Sequence, residues 1–130
     1  MEKYEYLSDI DSKFIMKLTE YNYDLPSNKT DKFKIYFNTN YKTEYTIKYN
    51  NKLENTVNVE ITYYKDYYEI NENHDKNGAY ISLSSDNRRK LSLFLNNVKE
   101  NQILNYNELE RYEVVIYVNK DDSERLIIEN

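Results

Sequence analysis

The chain has 130 residues, a formal net charge of -5, 16 tyrosines, one glycine, one proline and no cysteine. That length suits a single domain, residues 1–130, with a core large enough to fold unaided, and the absence of thiols excludes disulfides and thiolate metal sites. The lone glycine, Gly78, excludes P-loops, dinucleotide turns and Gly-flanked nucleophile elbows, which need glycine for positive φ or close backbone approach.

The chain opens Met1-Glu2-Lys3-Tyr4-Glu5-Tyr6, without the apolar run of a signal peptide. No stretch approaches the roughly 18 apolar residues of a membrane helix, so a cytoplasmic location is expected. Residues 7–23 fit an amphipathic helix, with Leu7, Ile10, Phe14, Leu18 and Tyr21 at spacings of three and four. Ser8 or Asp11 would cap it. Phe14, Met16 and Leu18 also alternate as in a strand. Leu25-Pro26-Ser27-Asn28 ends the element.

From Lys32 the period becomes two. Phe33, Ile35 and Phe37 form one alternating set, and Tyr45, Ile47 and Tyr49 a second. Val57, Val59, Ile61 and Tyr63 form a third, Tyr68 and Ile70 a fourth, and Ala79, Ile81 and Leu83 a fifth. Turn-like residues lie between them, including a polar loop at 71–78. Short connections argue for an antiparallel meander. A helix should follow, capped within Ser84-Ser85-Asp86, with Leu91, Phe94, Leu95 and Val98 packing on the meander. A helical turn near 107–112 and a hairpin of residues 113–118 and 124–128 would close the chain. Residues 113–118 form the kind of edge strand that can pair across a dimer. The expected fold is therefore α+β: an antiparallel meander of five or more strands, one or two packing helices and a C-terminal hairpin.

Few residues invite chemistry. His74 is the one histidine and sits in the polar loop, so zinc and copper sites are not expected. Asp66, Glu69, Glu72 and Asp75 are the densest acidic group before the C-terminal region, but their spacing matches no calcium loop and no nuclease pattern. Arg88, Arg89 and Lys90 lie in the first turn of the expected helix. They read either as an anion-binding site or as an ordinary solvated helix start. Residues 1–99 hold 15 Asp/Glu and 15 Lys/Arg; residues 100–130 hold 8 Asp/Glu against Arg111, Lys120 and Arg125. The whole excess is C-terminal: a solvated face, or a surface for a basic groove. AT-rich coding accounts for much of the Tyr and Asn content, and contact surfaces are the other reading. Tyr45, Tyr49 and Tyr63 fall in register with the core. Tyr36, Tyr64, Tyr67 and Tyr80 fall out of register and should project outward.

Residues 44–99 resemble PC4-like single-stranded-DNA-binding domains through Tyr68-Glu69-Ile70, a polar loop, Gly78 and Ile81-Ser82-Leu83 before Leu91 and Leu95. The resemblance implies a curved meander running into one helix, with Arg88, Arg89 and Lys90 as nucleic-acid contacts. The loops lack the basic clusters of that family, and the net charge has the opposite sign. In overall character, short, acidic, cysteine-free and without a catalytic signature, the chain is similar to small phage and mobile-element inhibitors such as anti-CRISPR proteins. That likeness implies a protein of the host cytoplasm with no enzymatic activity, cofactor or metal. It would block a host nucleic-acid-processing defence protein, such as a nuclease complex, through an acidic, Tyr-rich surface. The contacting residues would be Glu108, Glu110, Glu113, Asp121, Asp122 and Glu124, with Tyr64 and Tyr67 beside them.

Overall fold

The computed structural model describes residues 16–39, 43–65, 67–85 and 110–130. Eight strands run through them: β1 (Met16–Asp24), β2 (Phe33–Asn38), β3 (Tyr45–Tyr49), β4 (Thr56–Tyr64), β5 (Tyr68–Asp75), β6 (Gly78–Ser85), β7 (Tyr112–Val118) and β8 (Leu126–Glu129). Two mixed sheets result, one ordered β1-β4-β7-β3 and the other β5-β6-β2-β8. Among the described residues the only helical element of any length is a 3-10 helix at Lys120–Arg125. The expected α+β architecture is thus corrected to a β-rich one.

Alternation drives this fold. Phe33, Ile35 and Phe37 of β2 and Ala79, Ile81 and Leu83 of β6 are buried on one side. Val57, Val59, Ile61 and Tyr63 of β4 and Val114, Ile116 and Val118 of β7 are buried on the other. All belong to a single core cluster, so the two apolar faces pack on each other as a sandwich. β-branched residues dominate the inward positions of β4 and β7, the central strands of the first sheet, where a pleated surface suits their stiff side chains.

The meander does not form. β2 pairs in parallel with β6 and β8, and β3 pairs in parallel with β7. Short connections forbid a parallel pairing only between consecutive strands of one sheet. Here β1 to β2, β2 to β3, β4 to β5, β6 to β7 and β7 to β8 each pass from one sheet to the other. Parallel neighbours then come from distant parts of the sequence. Only β5 and β6 are both consecutive and adjacent, joined antiparallel from Tyr68↔Ser85 to Asp75↔Gly78. The meander implied by the PC4-like resemblance is overturned on the same ground.

Residues 16–23 are strand and not helix: β1 pairs antiparallel with β4 from Met16↔Tyr64 to Asp24↔Thr56. Leu18, which suited the helical stripe, points outward and is 54% exposed. Tyr21 and Tyr23 face the core instead. The C-terminal hairpin is corrected too, because β7 and β8 belong to different sheets and the 3-10 helix links them. β7 lies between β4 and β3, so it offers no edge for a dimer. Glu110 is in 3-10 conformation and Tyr112 already begins β7, while residues 107–109 of the expected helical turn lie outside the described residues. Residues 7–15 and the expected helix bearing Leu91, Phe94, Leu95 and Val98 lie outside the described residues.

Arg125 ties one end of the sandwich together. Its Nη1 donates to Asn55 Oδ1 (2.6 Å) and to Asp122 Oδ1 (3.4 Å), and its Nε to the Asp31 carbonyl (3.2 Å). Its Nη2 donates to the carbonyls of Pro26 and of Asn28. A planar guanidinium with five donors suits this cage of acceptors. Asn55 sits at φ 55, a conformation asparagine tolerates. Its backbone N–H donates to Asp122 Oδ2 (3.1 Å), and its Nδ2 to the Leu25 carbonyl (3.0 Å).

Candidate binding cleft

β1 and β5 are edge strands of different sheets, and their core-facing side chains meet. The Tyr23 hydroxyl donates to Glu72 Oε2 (2.6 Å), and His74 Nδ1 lies 2.9 Å from the same oxygen. The Tyr23 ring stands 5.3 Å from the His74 ring and 5.6 Å from Phe33, centroid to centroid. Burial first, then the hydrogen bond to Glu72, pushes the Tyr23 phenol far above its ordinary range, so it stays a donor. Tyr21, stacked on Tyr23, is also raised, by burial first and then by Glu72 and Tyr63.

Beside this network a cleft of about 720 Å³ opens between the end of β1, the loop that follows it and the β5–β6 turn. Asn22, Asp24, Ser27, Asp31, Asp75 and Asn77 line it, together with Tyr23, His74 and Lys76. The turn is held by Asp75, whose Oδ1 accepts from the N–H groups of Asn77 (2.8 Å) and Gly78 (3.1 Å). A second hollow, of about 450 Å³, lies across the turn and shares His74, Asp75 and Asn77. There Tyr36 and Tyr80 stack at 5.3 Å and 10°, and Asn38 Nδ2 donates to the Tyr80 hydroxyl (2.7 Å). Gly78 allows the turn to dock, because a Cβ there would fall on the Lys34 carbonyl oxygen.

The expected acidic surface is broken up. Asp122 is buried and paired with Arg125. Glu113 is exposed at the start of β7, whereas Asp121 and Glu124 are exposed on the 3-10 helix beyond its far end. A strand of that length separates the two groups by roughly 20 Å. Glu110 is half-buried, and its carbonyl accepts from the Tyr68 hydroxyl (2.5 Å). Tyr64 and Tyr67 are buried in the core and present no contact surface. They occupy the β4–β5 corner, where Tyr67 N–H donates to the Tyr64 carbonyl (3.1 Å) and alternation stops. Glu108, Asp66, Arg88, Arg89 and Lys90 lie outside the described residues.

Other aromatic expectations divide. Tyr63 is core, and Tyr80 is exposed on the outer face next to a partly buried Tyr36. Tyr45 and Tyr49 are exposed, although they share the inward register of Val114 and Val118. β3 is an edge strand, and its inward side has no buried position. His74 belongs to β5, since residues expected as a loop continue that strand to Asp75. Glu69 and Glu72 of the same strand point to opposite faces. Among the described residues no group of three or more His, Asp and Glu could hold a metal ion, and no helix is long and apolar enough to cross a membrane. Tyr23 and Glu72 are 49 positions apart, so nothing local in the sequence marks their meeting.

No family model, curated protein or solved structure matches the chain.

Proposed function

We propose that the chain is a non-catalytic binding protein that inhibits a nucleic-acid-processing partner by seating a basic segment of that partner in the cleft between β1 and β5. The charge of the cleft carries this reading. Asp24, Asp31 and Asp75 line it with Lys76 as its one lysine, and none of the three aspartates is in a salt bridge among the described residues. The net charge of -5 has the same sign. Grooves that hold nucleic acid are lined by Lys and Arg, and an acidic cleft with Tyr23 in its wall complements them. The Tyr36–Tyr80 pair next to it offers ring faces to a guanidinium. The acidic surface of this proposal is therefore built around Asp24, Asp31 and Asp75 instead of the C-terminal carboxylates.

A short arginine- and lysine-rich peptide, titrated calorimetrically at low and moderate salt, tests the reading. Binding should weaken with salt and fall about tenfold or more in Asp24→Asn/Asp31→Asn. Absence of binding at low salt overturns it. A shift of a short single-stranded oligonucleotide in place of the peptide would favour a nucleic-acid-binding role.

A further inference from the structure

We infer that β3 is a self-association edge: two copies of the chain join antiparallel through residues 44–48, centred on Thr46. β3 closes the first sheet on the side opposite β1, and among the described residues its outer edge meets no strand. All five of its residues are exposed, including the apolar Tyr45, Ile47 and Tyr49. An exposed edge with apolar side chains and no strand beside it among the described residues is a template for another strand.

Backbone direction limits the register. Asn50 N–H donates to the Val118 carbonyl of β7 (2.9 Å). Backbone groups alternate sides along a strand, so Thr46 and Lys48 also direct theirs to β7, whereas Tyr45, Ile47 and Tyr49 direct theirs to the open edge. An antiparallel partner strand must then set odd residues against odd ones. Centring on Thr46 places Tyr45 against Ile47 of the second copy in hydrogen-bonded pairs. Glu44 then faces Lys48 of the second copy, twice by symmetry, in the non-hydrogen-bonded pairs where side chains approach closest. Centring one residue later sets Lys48 against Thr46 and leaves Glu44 without a cation.

Charge on the sheet favours the same register. In the β3–β7 pairing, Tyr45↔Val114 puts Glu44 beside Glu113. Lys48 of the second copy would come to rest by these two like charges. The apolar side chains of the two β3 strands would form one continuous strip on the inward side.

Sedimentation equilibrium of the full chain over a wide concentration range tests this. A monomer–dimer equilibrium is expected, and so short an interface places it on the weak side. Glu44→Lys or Lys48→Glu should each raise the dissociation constant about tenfold or more, and the double swap E44K/K48E should restore it. Ile47→Pro removes a donor from the open edge only, so it should abolish the dimer and keep the wild-type circular dichroism spectrum. Should that variant unfold, the charge-swap series still decides. A chain that stays monomeric at every concentration, or a dimer indifferent to the single and double charge swaps, overturns the inference.

Discussion

Tyr23, on the edge strand of one sheet, donates a 2.6 Å hydrogen bond to Glu72, on the edge strand of the other. That bond links two strands that share no backbone pairing among the described residues. Tyr23→Phe should lower stability by about 1–2 kcal/mol, read from urea unfolding at neutral pH.

The same tyrosine predicts alkaline behaviour. Tyrosines of the unfolded chain ionise near pH 10, whereas folded Tyr23 is held well above that by burial and by Glu72. Above about pH 10 the folded state binds the extra proton, so the stabilisation is complete below that pH and is lost as pH rises through the folded value. The share of Tyr23 in the slope is about 1.4 kcal/mol per pH unit. Unfolding free energies followed above about pH 10 should show a shallower decline in Tyr23→Phe.

Arg125 is 5% exposed and faces Asp122 and four other acceptors. Arg125→Met should cost about 3–5 kcal/mol, because it removes the cation beside a buried carboxylate and takes a donor from several carbonyls. The milder Asp122→Asn should cost less than half as much. Chemical denaturation of both variants checks the order; an Arg125 variant of wild-type stability would refute the cage.

Gly78→Ala should destabilise the chain by about 1–3 kcal/mol. The added methyl meets the Lys34 carbonyl oxygen, where β6 begins its parallel pairing with β2 at Lys34↔Gly78. Backbone conformation is not the cause, since Gly78 does not have a positive φ. A thermal melt unchanged by the substitution would contradict the close docking of the turn.

Leu18→Ala and Ile116→Ala separate strand from helix in β1. Exposed Leu18 should change stability by less than about 0.5 kcal/mol, whereas fully buried Ile116 should cost about 2–5 kcal/mol. A helix burying the stripe of Leu18 would make Leu18→Ala costly as well, which equilibrium unfolding would detect.

Most inward-facing residues are legible from alternation alone. Phe33, Ile35 and Phe37, the Val57–Val59–Ile61–Tyr63 set, and Ala79, Ile81 and Leu83 alternate in sequence and are buried in the fold, because a strand turns successive side chains to opposite faces. β1 is ambiguous for the same kind of reason: Leu18 and Tyr21 satisfy a helical spacing, while Met16 and Leu18 satisfy an alternating one. Long-range pairing with β4 resolves it. The C-terminal carboxylates count as one block in sequence, but β7 carries the chain from one end of the sandwich to the other and spreads them apart. Nothing in the sequence distinguishes Asp122 from Asp121; the fold does, by surrounding Asp122 with Arg125 and Asn55.

By itself the sequence determined the alternating sets of β2, β4 and β6 that leave water and which families of glycine- or cysteine-dependent chemistry the chain cannot support. Those properties are local: they depend on residue type and on a period of two. Only the tertiary structure decided which strand lies beside which, that β3 and not β7 is an edge, and that Tyr23, Glu72 and His74 converge at an acidic cleft. Such contacts join residues tens of positions apart, and alternation has the same pattern whether the neighbouring strand is parallel or antiparallel, in the same sheet or across the core.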